Sequence, residues 1–401
     1  MNPSEFAENS TVQRCDWWQM ARFGLFIHWG VYAVPARGEW VMYQEHFSNQ
    51  EYARLADQFC PTRYCPADWV AVARDAGMKY AVLTTRHHDG FCLFDSAVSD
   101  FTAPKTAAKR DLVAEFAEAC HRAGMRLGFY YSLEDWRFPG QLPHLPVKEV
   151  GNYSPMVEQA HGQIRELCTN YGPLDILWLD GAFPPGIWRA NELIGMVRSL
   201  QPNILVNDRS GAPGDFATPE NDVTPHARPW EACYTMNDTW GYAANDNNYK
   251  SAGAILRLLV SCVAHGGNFL LNVGPDAAGS FPPQAVEILR QIGDWMRVNK
   301  ESIYGAGRSP VVAPAIGWTT RVGRKVFLQV QRWPGATVAL AWCGSRVKSA
   351  RLLATGQSAT IEQKEDRVWL HGFPEAPPDP SMAVIELTFD EEPRSSVPGY
   401  S

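Results

Sequence analysis

The sequence predicts an α/β protein: a (β/α)8-like TIM barrel followed by a small antiparallel β-sandwich. Three observations lead there. Short, continuously apolar runs alternate with helix-length amphipathic segments through residues 1–300, as expected of parallel strands buried on both faces and connected by helices. Several of those runs end in polar and aromatic residues: Phe26-Ile27 leads into His28-Trp29-Gly30, Val82-Leu83 into Arg86-His87-His88-Asp89, Phe129 into Tyr130-Tyr131-Ser132, and Leu177-Trp178-Leu179 into Asp180-Gly181. In a parallel barrel, chemistry gathers at the C-terminal ends of the strands, so these ends point to one shared site. From about Tyr304 the pattern becomes short alternating segments separated by Gly, Pro and Asp turns, the signature of a sandwich.

In chain order, a strand over Gly24–Ile27 is followed by a loop, Val31–Glu51, rich in Gly, Pro and aromatics. Pro66 near its start and Gly77 after its end bound a helix over Cys65–Ala76. A strand over Lys79–Thr85 precedes a helix over Lys109–Ala123, with Leu112, Val113, Phe116 and Cys120 at helical spacing and Gly124 as its stop. The strand from Arg126, the helix Pro155–Tyr171, the strand ending at Leu179, the helix Ile187–Leu200 and the strand Asn203–Asn207 continue the alternation. Ser210–Pro229 reads as a long loop, Trp230–Met236 as a strand, Ser251–Ala264 as a helix, Gly267–Val273 as a strand and Pro282–Asn299 as the closing helix. The expected division is a catalytic barrel over 1–300, a sandwich over 305–392 and a flexible tail over 393–401.

Composition narrows the function classes. Of 401 residues, 45% are hydrophobic and 20% charged, the balance of a globular enzyme. A net charge of −7 with no Lys/Arg-rich block argues against a nucleic-acid surface. No run reaches membrane-spanning length, and no basic segment followed by an apolar stretch opens the sequence, so a cytoplasmic protein is expected. The nine cysteines, with no Cys-x-x-Cys pair, read as reduced thiols rather than a zinc site. Fifteen Trp and fourteen Tyr supply aromatic faces suited to sugar C–H surfaces. Those at run ends or in the first long loop, Trp29, Trp40, Trp136 and Trp178, stand apart from ordinary core aromatics.

Asp180 is the first candidate for chemistry. It ends an apolar strand with no local cation, so it must be paired, hydrogen-bonded or solvated in a cleft; an Asp that only caps the following turn is the plain alternative. Glycosidic cleavage needs a second carboxyl group, and the long loop offers Asp208, Asp215, Glu220 and Asp222. Glu231 follows it, but at the start of a strand, the wrong end for barrel chemistry. His87 and His88, adjacent in an extended chain, are expected to point to opposite sides. His28, His87, Glu39 and Asp180 make a possible metal set. Metal-dependent barrel hydrolases usually carry His-x-His at one strand end, and this chain does not. Neither a phosphate-binding glycine turn nor a Gly-x-Ser-x-Gly elbow is present.

Collinear segments carry a resemblance. Arg22-Phe23-Gly24-Leu25-Phe26-Ile27-His28-Trp29-Gly30, Gly38-Glu39-Trp40, Thr84-Thr85-Arg86-His87-His88-Asp89-Gly90-Phe91, Trp178-Leu179-Asp180-Gly181, Val206-Asn207-Asp208-Arg209, Asp215 to Glu220 and Gly266-Gly267-Asn268 through Pro275 resemble the α-L-fucosidases of glycoside hydrolase family 29. The resemblance covers nearly the whole barrel. It implies a retaining exo-hydrolase that removes terminal α-L-fucose from fucosylated oligosaccharides or glycosides, with no cofactor and no metal. It makes Asp180 the nucleophile and Glu220 the acid/base, with Glu231 in reserve. His28, Glu39, Trp40, His87, His88 and Tyr131 match sugar-binding positions, Trp178 a wall beside the nucleophile, and Arg209 an arginine near the acid/base. Trp-Leu-Asp stands here where many relatives carry Trp-Phe-Asp. The rival readings are a metal-dependent barrel hydrolase and an inactive fucose-binding protein. No nucleic-acid or membrane partner is expected, and a homo-oligomer is compatible with the sequence.

Overall fold

The structure, a computed structural model, describes residues 13–138, 152–181 and 186–397. A helix over residues 13–21 (α1) leads into β1 (Phe23–Ile27), followed by two short helices, α2 (Val41–Gln44) and α3 (Asn49–Ala56), and by α4 (Pro66–Asp75). Alternation then sets in: β2 (Tyr80–Arg86), α5 (Leu112–Ala123), β3 (Arg126–Ser132), α6 (Ser154–Asn170), β4 (Ile176–Asp180), α7 (Ala190–Leu200) and β5 (Leu205–Val206). β6 (Glu231–Thr235), α8 (Ala252–Ala264), β7 (Asn268–Val273) and α9 (Pro283–Asn299) complete this part. Local signals explain the helix ends. The Asp111 side chain accepts from Ala114 N at 2.8 Å at the start of α5, and Gly124, at φ 65°, ends it; Ser251 caps α8 in the same way.

The seven strands form one curled parallel sheet in the order β5-β4-β3-β2-β1-β7-β6. Its two edges are joined by residues 216–220, which the sequence places in a loop. Parallel bridges tie Phe216 to Asn207 beyond β5, and tie Ala217 and Glu220 to Trp230 and Cys233 of the β6 side. Ala217 N donates to Pro229 O at 2.9 Å, Glu231 N to Ala217 O at 2.9 Å, and Cys233 N to Pro219 O at 3.1 Å. The segment thus serves as the eighth stave, and Glu220 stands at its exit, as Asp180 stands at the exit of β4.

Two apolar clusters follow from the two-residue period of the strands. Phe26, Val82, Tyr130, Ile176, Trp178, Phe216, Cys233 and Leu270 fill the barrel interior. Leu25, Leu83, Phe129, Tyr131, Leu177 and Leu271 face the helices. Helix α1 closes the floor, placing Cys15, Trp18 and Ala21 in the inner cluster, with Trp18 packed 4.7 Å from Phe216 between ring centroids. Gly24 is required on this floor: a Cβ there would lie 2.3 Å from the ring of Tyr80, its neighbour in register.

Beyond α9 lie two antiparallel sheets. Five strands run in the order β12-β15-β10-β9-β8: β8 (Gly307–Arg308), β9 (Gly317–Val322), β10 (Lys325–Val330), β12 (Val347–Leu352) and β15 (Ala383–Phe389). Three run β11-β14-β13: β11 (Thr337–Leu340), β13 (Thr360–Lys364) and β14 (Arg367–His371). Val326, Leu328, Val338, Leu340, Val368, Leu370, Ile385 and Leu387 make their shared core. The opposite face of β10 and β15 contributes Phe327 and Val384 to the barrel's outer core. The sequence pattern missed β8 and β13; β13, Thr-Ile-Glu-Gln-Lys, is an edge strand with no fully buried residue to mark it. Of the tail expected to be flexible, residues 394–396 are held by Gly344 N donating to Arg394 O at 2.9 Å and Ser396 N to Trp342 O at 3.0 Å; residues 398–401, like 1–12, lie outside the described residues. All nine cysteines are unpaired. Among the described residues no helix is long and apolar enough to cross a membrane.

Candidate active site

A cavity of about 360 Å³ opens where the strands exit, lined among others by His28, Trp40, His87, His88, Trp178, Asp180, Arg209 and Glu220. Six elements converge on it: the exits of β1, β2 and β4, the Trp40 loop, the turn after β5 and the 216–220 stave. The polar residues that follow each apolar run lie at or just beyond the strand ends, at the barrel mouth.

Asp180 is the electrostatic centre. Its Oδ1 accepts from Arg209 Nη1 and from Gly181 N, both at 3.0 Å, and its Oδ2 accepts from the Tyr130 hydroxyl at 2.8 Å. His88 Nε2 lies 3.7 Å from Oδ2. Burial pushes the Asp180 carboxyl up, but Arg209, His88 and the Tyr130 hydroxyl outweigh it and hold the group below its usual range. Arg209 also reaches the second carboxylate: Nη2 donates to Glu220 Oε2 at 3.0 Å and to Thr218 O at 3.2 Å, and Nε donates to Thr218 Oγ1 at 3.1 Å. The guanidinium lies 4.7 Å from the Trp178 ring centroid. One fork therefore spans Asp180 and Glu220, with Glu220 the more exposed carboxylate.

The histidines are set by their partners. Asn272 Nδ2 donates to Trp240 O, so Asn272 Oδ1 accepts from His28 Nδ1 at 2.6 Å. Burial pushes the His28 imidazolium down to about 3, which leaves the neutral ring with Nε2 as an acceptor. The Ser132 hydroxyl donates to Glu134 O, so His88 Nδ1 donates to Ser132 Oγ at 2.7 Å. His87 stacks on Tyr130 with 5.7 Å between centroids, and burial holds it neutral. The expectation that His87 and His88 diverge is corrected. β2 ends at Arg86 and the chain turns, with Gly90 N donating to His87 O, so both imidazoles line the cavity, 4.3 Å apart.

Two expected sugar contacts, Tyr131 and Glu39, are not among the residues lining the cavity. Tyr131 faces outward; its hydroxyl donates to Gln163 of α6 at 2.7 Å, and strand alternation gives the inward position to Tyr130. Glu39, next in sequence to the lining residue Trp40, is buried and accepts from Gly241 N at 2.7 Å. Glu231, the reserve acid/base, lies outside the cavity. It lies at the entry of β6, on the barrel floor, where Trp18 Nε1 (3.3 Å) and the Tyr80 hydroxyl donate to Oε2. Among the other loop acids, Asp215 is buried and bound by Arg14 and Arg198, and Asp208 pairs with Arg228. Trp29 packs in the outer core against Phe59 and Tyr64. Trp136 backs the site, 5.0 Å from Trp40 and 5.2 Å from His88 between ring centroids. No three His, Cys, Asp or Glu side chains are placed to hold a metal among the described residues.

A family model described as alpha-L-fucosidase matches residues 3–301. The chain belongs to the α-L-fucosidase family. It is 29% identical to the tissue alpha-L-fucosidase of Rattus norvegicus over 90% of this chain and 86% of that protein. Among solved structures, alpha-L-fucosidase isoenzyme 1 from Paenibacillus thiaminolyticus superposes with a TM-score of 0.90 at 40% identity, covering 95% of this chain and 100% of that one. The glycoside hydrolase family 29 alpha-L-fucosidase of Bacteroides thetaiotaomicron, solved as a trapped covalent intermediate with 2-fluoro-fucosyl fluoride, superposes at 0.84 with 26% identity over 94% of this chain and 96% of that one. Family membership makes the chain a glycoside hydrolase and fits its fold, a curled parallel sheet with antiparallel sheets after it.

Sequence reasoning missed Phe26, Tyr130, Glu134, Cys233 and Trp240, which also line the cavity. Strand parity, counted inward from His28, is the signal that would have found Phe26; Tyr130 and Cys233 lie on other strands, whose phase the sequence does not set. Trp240 and Glu134 follow their strands in loops and carry no such signal.

Proposed function

We propose that this chain hydrolyses terminal α-L-fucosides with retention of configuration, Asp180 acting as nucleophile and Glu220 as acid/base. The observation that carries the reading is the shared guanidinium: Arg209 contacts both carboxylates at 3.0 Å in one cavity at the strand exits. The trapped intermediate named for the Bacteroides relative supports a covalent route.

In the first step Asp180 Oδ attacks the anomeric carbon, the glycosidic C–O bond breaks, and Glu220 gives its proton to the departing oxygen. Arg209, with His88 and the Tyr130 hydroxyl, keeps the nucleophile ionised. Forming the ester removes its negative charge, and the attraction of Arg209 then passes to Glu220. Glu220, having given up its proton to the leaving group, is the base required next. In the second step Glu220 takes a proton from water, the hydroxide oxygen bonds to the anomeric carbon, and Asp180 leaves as carboxylate. Neutral His28 and His87, with His88, offer donors and acceptors to the ring hydroxyls. Trp40, Trp178 and Phe26 offer apolar faces to the ring and its methyl group.

The test follows hydrolysis of an aryl α-L-fucoside by NMR. α-L-Fucose is expected as the first anomer formed, unaffected by EDTA. β-L-Fucose first would overturn the retaining assignment, EDTA sensitivity would favour a metal hydrolase, and fucose binding without turnover would favour an inactive binding protein.

A further inference from the structure

At the opposite end of the barrel, a second cavity of about 520 Å³ lies between the end of α8 and the first strands of the sandwich. Its walls include His265, Arg308, Trp318, Trp342 and Pro225. His265 follows α8 just before β7 begins, so this is the strand-entry end, away from Asp180 and Glu220. Pro225 belongs to the stretch that returns from Glu220 at the mouth to Trp230 at the floor.

The chemistry of the lining is selective. Trp318 and Trp342 are 37% and 45% exposed, two of the few large apolar side chains left in solvent. Trp342 sits at φ 60°, a backbone region that bulky side chains rarely adopt. Its backbone is held there by Ser396 N donating to its carbonyl at 3.0 Å and by Cys343 N donating to Asp366 O at 2.9 Å. His265 packs edge-on to Trp318 at 4.7 Å between centroids. The Ser261 carbonyl can only accept, so His265 Nδ1 donates to it at 2.7 Å and Nε2 is left to meet a ligand. Arg308 donates through Nε to His265 O at 3.0 Å, which leaves its terminal nitrogens for an incoming oxygen. No carboxylate lines the cavity, which removes a cation as occupant, and one arginine is too little for a polyanion. Exposed aromatic faces beside a few convergent donors match the alternation of C–H faces and hydroxyls on a sugar chain.

We propose that this cleft is a second carbohydrate-binding site, one that holds a neutral stretch of the glycan remote from the bond being cut. The reading of the barrel mouth as a fucoside site supplies only the kind of polymer; binding at the cleft stands or falls separately.

The test is native electrophoresis in gels cast with fucosylated xyloglucan or with fucosylated mucin, against a gel without polysaccharide. The full chain is expected to be retarded several-fold in at least one polysaccharide gel, and the Asp180→Ala variant equally so. Trp318→Ala with Trp342→Ala should abolish the retardation while turnover of an aryl fucoside stays unchanged. Trp342→Ala alone, at a side chain in neither domain core, should weaken retardation even if the double variant folds poorly. Migration of the wild type unaltered by both polysaccharides, or retardation that survives loss of the tryptophans, overturns the proposal. A wild type that is retarded but turns over no fucoside leaves the cleft standing and removes the mouth reading instead.

Discussion

The two ends of the barrel each bury a carboxyl group, and they treat it in opposite ways. At the mouth, Asp180 has a guanidinium, an imidazole and a phenol around it and is held below its ordinary range. On the floor, Glu231 has the Tyr80 hydroxyl and the Trp18 indole but no cation, and burial pushes it up to about 7. Both lie on inward positions of parallel strands. Burial alone discharges an acid; burial beside a fixed cation keeps it ionised. Between these two acids the difference therefore lies in where Arg209 is placed, not in which strand carries the acid.

The largest test of that contrast is Asp180→Gly. Turnover of aryl fucosides should fall by on the order of 10⁴-fold and be partly restored by azide; near-normal activity would remove Asp180 from the chemistry. Glu220→Ala should cost roughly 10²- to 10⁴-fold on substrates with poor leaving groups and far less on activated aryl fucosides. Equal losses on both would mean Glu220 is not the proton donor. Arg209→Met should lower kcat/KM by about 10²-fold. It removes the guanidinium beside Asp180, whose carboxyl then rises, so the acidic limb of the pH profile should move up; an unmoved limb would separate Arg209 from Asp180.

Smaller effects compare neighbours. Tyr130→Phe deletes the hydrogen bond to Asp180 and should cost about 10-fold in kcat, whereas Tyr131→Phe, on the outer face, should leave kcat and KM alone. Glu231→Gln should not change activity at all, and its readout is stability. A carboxyl raised from 4.5 to about 7 on folding contributes fully below pH 4.5, and the contribution is lost as pH rises through 7. Wild-type stability should therefore fall between about pH 4.5 and pH 7, by up to about 3 kcal/mol, and level off above, a change read as a lowered unfolding temperature. Glu231→Gln should stay flat; parallel curves would mean that Glu231 does not titrate.

Much of the fold was legible because parallel strands buried on both faces leave continuous apolar runs, and the first polar residue after such a run marks the barrel mouth. Asp180 and His28 declare themselves in this way. The same continuity hides strand phase. In Phe129-Tyr130-Tyr131 every residue is apolar or aromatic, so nothing local says which tyrosine turns inward. The eighth stave was hidden for another reason. Phe216-Ala217-Thr218-Pro219-Glu220 contains a proline, which marks a sequence as loop because it cannot donate to a ladder. Here only the Pro219 carbonyl is needed, accepting from Cys233 N, and β5 bridges the segment only at Asn207.

The order of strands, the helices between them and the family pattern of polar residues at strand exits were fixed by the sequence itself, since they rest on local periodicity and short motifs. Tertiary structure alone decided that Arg209 joins Asp180 to Glu220, that Glu231 is sealed on the floor by Trp18 and Tyr80, and that Tyr130 rather than Tyr131 meets Asp180. Those outcomes depend on barrel closure and register between segments far apart in the chain, and charge, burial and hydrogen bonding at a buried carboxyl group exist only once those segments meet.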